Sequence, residues 1–80
     1  MIIGKIKGIP KLTPDQCIIA RKALNWTISR LSDETGISEN ELINYEAGIH
    51  ELNTNKYHRV IHAFGFAGIK FIEGAVTSFH

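Results

Sequence analysis

The sequence is poor in the features that mark several specialised protein classes. Its single cysteine, Cys17, rules out an internal disulfide, and the apolar residues beside it indicate packing, which fits a reducing cytoplasm. No apolar run approaches the length of a membrane span, and the opening "MIIGKIKGIP" is too short and too interrupted by lysine and glycine for a secretion signal. We therefore expect a cytoplasmic protein that does not enter a membrane.

The chain has no excess of either sign of charge, because its 9 lysines and arginines nearly balance its 8 aspartates and glutamates and leave a net charge of +1. Strongly basic nucleic-acid-binding proteins have a different balance, so the total charge indicates no partner. The 80 residues, 44% hydrophobic and 21% charged, suffice for one globular domain with a small core. A core of this size is marginal, which leaves open a homodimer that buries more apolar surface.

The patterning divides the chain into three segments. Residues 1–11 alternate loosely and hold several β-branched side chains, which predicts an N-terminal arm or strand. Residues 12–68 carry the signals of a helical domain, and residues 69–80 read as a C-terminal strand and tail. The sequence leaves open whether the terminal strands pair within one protomer or across a dimer.

Capping residues predict the first two helices. In "TPDQ" at 13–16, Thr13 can cap a helix and Gln16 can close a capping box. This helix should run to about Asn25, with four residues facing inward: Cys17, Ala20, Ala23 and Leu24. A second helix is expected from its cap at Thr27 through Thr35, with Gly36 in a left-handed conformation after it.

Two further helices are predicted by the same signals. "SENE" at 38–41 forms a capping box in which Ser38 accepts from the backbone and Glu41 reaches back to it. This third helix should run from Glu39 to about Ala47 and end at Gly48. A fourth is expected from about Thr54 to Phe66, with one apolar face formed by Tyr57, Val60, Ile61 and Phe64.

Residues 28–47 have the pattern of a helix-turn-helix, two short helices joined by a turn that contains glycine. Ser32 is small where the two helices cross closely, and Gly36 supplies the positive φ that the turn needs. Ile37, Leu42 and Tyr45 are spaced to face the first helix of the pair. The simpler alternative is a small helical bundle whose turn only looks like the motif.

Three segments resemble the lambda-repressor-like (Xre) helix-turn-helix family, namely "LTPDQCIIARKALNWT", "SRLSDETGISENELINYEAG" and "AFGFAGIKF". The last is similar to a subgroup whose domain ends in an A-G-V/I-x-F strand. The resemblance covers roughly residues 12 to 73. It implies a mainly α, four- to five-helix DNA-binding domain with short N- and C-terminal β-strands. It further implies a prokaryotic, phage or plasmid transcription regulator that binds double-stranded DNA as a homodimer, most often a repressor.

The resemblance also assigns roles to individual residues. Arg21 and Glu46 occupy positions where the family commonly has an arginine–glutamate pair that braces two helices, and Gly36 and Glu41 are structural as well. By position, Glu39, Asn40 and Asn44 would read base edges, since asparagine suits adenine and glutamate can accept from cytosine. Phosphate contacts are expected at the helix starts and nearby polar side chains: Thr27, Arg30, Ser38, Asn55, Lys56, His58 and Arg59. Lys5, Lys7 and Lys11 form either a basic arm or solvated strand residues.

Two positions depart from the family pattern. Ile28 stands where the family usually has a glutamine that contacts the DNA backbone, and the loop after Gly48 includes Glu51 instead of basic residues. Both lower the expected affinity for DNA. They keep open an alternative in which the domain binds another protein through an acidic face that contains Glu39, Glu41 and Glu51.

Other chemistry finds little support in the sequence. His58 and His62 stand four residues apart on one helical face, but zinc needs three or four ligands and no nearby acid or thiol completes a set. Cys17 has no partner that would make it a nucleophile. We expect no enzyme, no metal and no cofactor. For Asn40 and Asn44 the plain alternative is solvent-facing polarity.

Overall fold

The structure, a computed structural model, describes residues 12–72 and 75–78. It is mainly helical, and its elements in chain order are α1 Pro14–Ala23, α2 Ile28–Thr35, α3 Glu39–Glu46, α4 Thr54–Phe66, β1 Ile69–Ile72 and β2 Ala75–Ser78. These are four helices; a fifth is not among the described residues. The predicted N-terminal arm or strand, residues 1–11 with Lys5, Lys7 and Lys11, lies outside them.

Capping residues set the helix boundaries. Thr13 accepts a hydrogen bond from the Gln16 N–H at 3.1 Å, and the Gln16 side chain accepts from the Thr13 N–H at 3.1 Å, so the predicted capping box of α1 is confirmed. Thr27 caps α2 as predicted, and Gly36 ends α2 with φ of 75°. The predicted bounds of α4 are also confirmed, and its cap is Asn53.

The first helix departs from the prediction at its end. It stops at Ala23 with Leu24 as its cap, because Asn25 adopts a φ of 60° that no helix can continue. Ala23 was predicted to face inward and is exposed. At about 100° per residue it lies about a quarter-turn away from the inward-facing stripe formed by the buried Cys17 and Ala20 and the half-buried Leu24.

The core lies where α1, α2 and α3 meet α4. Ten apolar side chains are buried there: Leu12, Cys17, Ala20, Leu31, Ile37, Leu42, Tyr45, Val60, Phe64 and Ile69. Trp26 adds a stacked contact to Phe64, with ring centroids 5.7 Å apart and planes inclined by 25°. Leu42, Tyr45, Val60 and Phe64 thus face inward as their spacing predicts.

The two strands pair with each other. β1 and β2 are antiparallel, with Ile69 opposite Ser78 and Ile72 opposite Ala75. β1 contacts α4 and β2 contacts α1, so the hairpin lies beside the helices. The described part of the C-terminal segment therefore finds its strand partner within its own chain.

Candidate nucleic-acid interface

The turn between α2 and α3 is built by polar side chains that bond to backbone. The Ser32 hydroxyl donates to the Ile37 carbonyl at 2.6 Å, and Gly36 donates its N–H to the Ser32 carbonyl at 2.8 Å. Thr35 is buried; its hydroxyl donates to Leu31 O at 2.8 Å and accepts from the Ile37 N–H at 3.2 Å. Each group that the turn buries thus has a partner, which fixes the angle between the two helices.

The inner face of α3 is fixed by packing. Leu42 is fully buried and Tyr45 nearly so. The Tyr45 hydroxyl donates to the Leu12 carbonyl at 3.0 Å. The Tyr57 hydroxyl donates to the same carbonyl at 3.2 Å and accepts from the Leu12 N–H. Burial raises the pKa of the Tyr45 phenol above its ordinary value.

Arg21 and Glu46 join α1 to α3. The guanidinium donates through Nε to Glu46 Oε2 at 2.9 Å and through Nη2 to Oε1 at 2.8 Å, a two-point contact. Arg21 also donates to the Trp26 carbonyl at 3.0 Å. The side chains of Arg21 and Glu46 are only 15% and 9% exposed. The hydrogen bond to Glu46 raises the pKa of the Arg21 guanidinium above its ordinary value. The sequence-predicted pair is therefore in contact, and it is mostly buried between α1 and α3.

Cys17 belongs to the same brace. Its thiol is fully buried and donates to Glu46 Oε2 at 3.3 Å. Burial, followed by the nearby Glu46 charge, raises the pKa of the thiol far above its ordinary value. A protonated, enclosed thiol is a poor nucleophile, which agrees with the packing role expected for Cys17.

This arrangement predicts a loss of stability in alkali. The unfolded thiol ionises near pH 8.5 while the folded thiol keeps its proton, so above about pH 8.5 the unfolded state binds fewer protons and the free energy of unfolding falls. The slope should approach about 1.4 kcal/mol per pH unit. Urea denaturation between pH 7.5 and 9.5 measures it. Cys17→Ala should have a flatter profile, and an equal slope in both proteins would contradict this role for the thiol.

Glu41 was predicted to close the capping box of α3, and this prediction is wrong. Ser38 does cap α3, accepting from the Glu41 N–H at 3.1 Å. The Glu41 carboxylate, however, accepts from Lys56 Nζ with both oxygens at 2.8 Å. An ammonium group on α4 offers a carboxylate a charged partner, whereas the cap backbone offers a neutral N–H. Glu41 thus ties α3 to α4, and it engages a lysine that was expected to meet phosphate.

The outer face of α3 carries the three predicted base-reading side chains. Glu39 and Asn40 are exposed in the first turn, and Asn44 is half-buried one turn after Asn40. The spacing of four residues brings Asn40 and Asn44 to one side of the helix. In the described part of the chain, Glu39 has no ion-pair partner, unlike Glu41 and Glu46, and the side-chain amides of Asn40 and Asn44 form no hydrogen bond. Carboxylate and amide groups with this freedom can hydrogen-bond to base edges.

The side chains of the predicted phosphate-contact residues differ in how exposed and how engaged they are. Thr27 and Ser38 are exposed caps, and Asn55, His58 and Arg59 are exposed on α4. Arg59 also donates to the Thr35 carbonyl at 3.4 Å, which keeps it beside the turn. Arg30 pairs with Glu34 at 2.8 Å and lies 4.9 Å from the centre of the Trp26 ring. Exposed pairs of this kind are weak, so Arg30 can leave Glu34 for another anion.

Three residues that contribute to this region were not predicted from the sequence. Asn53 caps α4 by accepting from the Lys56 N–H at 2.8 Å, and an asparagine just before the predicted start at Thr54 was the available signal. Thr35 has its buried role in the turn, for which the sequence offers no signal. Ile43 is 48% exposed on the outer face of α3, among the predicted reading residues.

Ile28 occupies the position of the family glutamine and has a structural role here. Its side chain is half-buried and packs against the core at the start of α2. A glutamine at this position would present polar groups, whereas isoleucine adds apolar contact. The departure from the family pattern therefore exchanges a polar group for packing at one edge of the candidate interface.

The charge around the interface is unevenly distributed along the chain. Residues 12–69 contain five lysines and arginines and seven aspartates and glutamates, whereas residues 1–11 contain three lysines and no acid. In the helical part, Arg21, Arg30 and Lys56 are in ion pairs. The cations nearest to α3 are thus largely engaged by acids of the same domain.

The described part of the structure contains no feature that indicates metal binding or membrane insertion. Within the described ranges, no group of three histidine, cysteine, aspartate or glutamate side chains is arranged to hold a metal ion. His62 instead packs edge-on against Phe66, with ring centroids 4.8 Å apart. None of the helices in this part of the chain is long and apolar enough to cross a membrane.

Comparison with known proteins agrees with the motif. A family model for helix-turn-helix domains matches residues 19–67, more than half of the chain, and spans α2, its turn, α3 and α4. No curated protein matches the sequence. The matched family is regulatory and binds DNA, and it is not a catalytic one. With the turn geometry and the family match in agreement, the chain belongs to the lambda-repressor-like (Xre) helix-turn-helix family of DNA-binding regulators.

Proposed function

We propose that this protein is a sequence-specific transcriptional repressor that binds an inverted-repeat operator as a homodimer. The observation that carries the proposal is the two-sided character of α3. One side of α3 is held to the other helices by the buried Leu42 and Tyr45 and by the ion pairs of Glu41 and Glu46. Its outer face is left to Glu39, Asn40, Ile43 and Asn44. A helix that is fixed on one side and polar on the other can enter a major groove with its side chains already oriented.

The base preferences follow from the chemistry of these side chains. An asparagine amide can make two hydrogen bonds to adenine N6 and N7, and a glutamate can accept from cytosine N4. Asn40 and Asn44 therefore favour adenine, and Glu39 favours cytosine and repels sites that present acceptors. Glu39 would then increase the sequence specificity of DNA binding and lower its affinity.

Affinity must then come from contacts to the phosphates. The backbone N–H groups at the starts of α2, α3 and α4 supply part of it, together with Thr27, Ser38 and Asn55. Arg30, Lys56, His58 and Arg59 supply cationic or polar contacts around α3. Lys5, Lys7 and Lys11 provide three positive charges at one end of the chain. We infer modest affinity that depends on salt.

A homodimer doubles the contact and matches a two-fold operator. Two copies of α3 would enter successive major grooves, with half-sites about 34 Å apart. Phe66, 83% exposed at the end of α4, supplies apolar surface that self-association can cover. If the operator overlaps a promoter, a cytoplasmic dimer bound there would block transcription from that promoter.

The direct test is a titration of the protein against DNA from upstream of its own coding sequence, at two salt concentrations. Retardation that weakens with salt, and that requires an inverted repeat, supports the proposal. Sedimentation of the complex should give two protomers per repeat. Absence of retardation at low salt would overturn it.

An acidic protein-binding face is the second candidate function. The excess of acids in residues 12–69 and the pairing of Arg30 and Lys56 favour it. In that case Glu39, Glu41 and Glu51 would contact a basic surface on another protein. The same titration separates the two functions, because this alternative requires no DNA binding.

The Glu41–Lys56 contact predicts a variant with tighter DNA binding. Glu41→Gln removes an acid beside α3 and releases the Lys56 ammonium, so affinity at low salt should rise by roughly tenfold. Fluorescence anisotropy with a labelled duplex measures the change. Glu51→Gln, which removes an exposed acid without releasing a lysine, is the matched control and should have a smaller effect. Equal effects would argue that Lys56 gains no phosphate contact.

A further inference from the structure

Ile43 stands out on the outer face of α3. It is an isoleucine with 48% of its surface exposed, although Ile37 nearby is almost fully buried. It follows Glu39 by four residues and Asn40 by three, so the three side chains share one face of the helix. About half of the surface of Ile43 is thus left to solvent, while Leu42 and Tyr45 make the core contacts of α3.

We propose that Ile43 is a specificity-determining residue that packs on the 5-methyl group of a thymine in the major groove. This inference rests on the proposed function. It adds thymine to the bases recognised by α3, since Glu39, Asn40 and Asn44 are expected to select cytosine and adenine. The thymine methyl is the apolar feature that base pairs present in the major groove. An apolar side chain at the middle of the reading face, with Asn40 before it and Asn44 after it, meets that feature and cannot pair with a polar base edge.

The surroundings of Ile43 favour a base contact over a protein contact. Glu39, Asn40 and Asn44 are its neighbours on this face, and all three are polar. A protein-binding patch gathers large apolar residues at its centre, whereas here the neighbours of Ile43 are three hydrogen-bonding side chains and the small, exposed Ala47. That mixture matches a groove in which a methyl group lies beside hydrogen-bond donors and acceptors. The preferred half-site should thus contain a thymine next to the bases read by the asparagines.

A double-mutant cycle tests the contact. The duplex is one preferred by the wild-type protein in a selection from random sequences, and each thymine of a half-site is replaced in turn by deoxyuridine, which lacks only the methyl. At one position the wild-type protein should lose affinity about fourfold, the value of one buried methyl-sized group. Ile43→Ala should lose affinity for the thymine duplex and show no further loss with deoxyuridine, because the two changes remove one interaction.

Two control variants make the result specific. Ile43→Val keeps branched methyl groups and should retain the discrimination against deoxyuridine. Ile49→Ala changes an isoleucine that is 64% exposed beyond the end of α3, and its effect should add to that of deoxyuridine. Because Ile43 and Ile49 are exposed, the variants should keep the wild-type melting temperature.

The outcomes separate this inference from the function on which it rests. Wild-type protein that selects no sequence would overturn both. Sequence selection by the wild-type protein, combined with full discrimination against deoxyuridine in Ile43→Ala, would overturn the role of Ile43 alone. Loss of that discrimination in Ile43→Ala, but not in Ile43→Val, supports it.

Discussion

Replacing Glu46 with alanine is expected to lower the free energy of unfolding by about 3 kcal/mol, the range found when one partner of a buried ion pair is removed. The variant leaves the Arg21 guanidinium, 15% exposed, with the Trp26 carbonyl as its remaining hydrogen-bond acceptor. It also removes the acceptor of the buried Cys17 thiol. A domain of this size is stable by about 4–12 kcal/mol in total, so the loss is a large fraction. Urea denaturation followed by far-ultraviolet circular dichroism measures it.

Glu34→Ala provides the matched control. Glu34 also pairs with an arginine at 2.8 Å, but those two side chains are 53% and 39% exposed. Water screens such a pair, so its removal should cost less than about 1 kcal/mol. If Glu46→Ala costs no more than Glu34→Ala, the Arg21–Glu46 pair does not brace α1 against α3.

Replacing Asn40 or Asn44 with alanine is expected to weaken binding to the preferred operator by about 10- to 100-fold, the range for one lost bidentate contact to a base. Binding to unrelated DNA should change little, because phosphate contacts carry no sequence information. The ratio of the two affinities, measured at one salt concentration, therefore falls. Neither side chain is part of the core, so both variants should remain folded.

Asn55→Ala is the control for this pair. Asn55 is exposed on the first turn of α4, where a phosphate contact is expected. Its loss should weaken binding to specific and unrelated DNA by the same factor. If Asn40→Ala and Asn44→Ala instead lower both affinities equally, their side chains contact the DNA backbone and the base assignment fails.

Local signals made the helices predictable from the sequence. A cap forms within about four residues, so Thr13, Thr27 and Ser38 carry the information for their own helix starts. Gly36 is similarly local, because the turn needs a residue that adopts positive φ at low cost. The resemblance to a known family then supplied what local signals cannot, namely that Arg21 and Glu46 meet across 25 residues.

Long-range competition limited the remaining predictions. Glu41 satisfies the pattern of a capping box, but Lys56, 15 residues later in the chain, offers a stronger partner. No local pattern contains that alternative. Thr35 is a similar case, because its burial depends on the angle between α2 and α3. The spacing of residues along α3 predicts which side chains lie on its outer face. Whether each side chain is free to bind DNA depends on the ion pairs that the fold forms nearby, which the spacing does not show.

Contact between the outer face of α3 and DNA bases can be observed by nuclear magnetic resonance. The ¹⁵N-labelled protein is titrated with its preferred duplex, and the chemical shifts of the backbone amides and asparagine side-chain amides are followed. If α3 reads the bases, the largest changes should occur at Glu39, Asn40, Ile43 and Asn44, including the side-chain NH₂ groups of both asparagines. Changes confined to other parts of the chain, with the α3 signals unmoved at saturation, would contradict this role of α3.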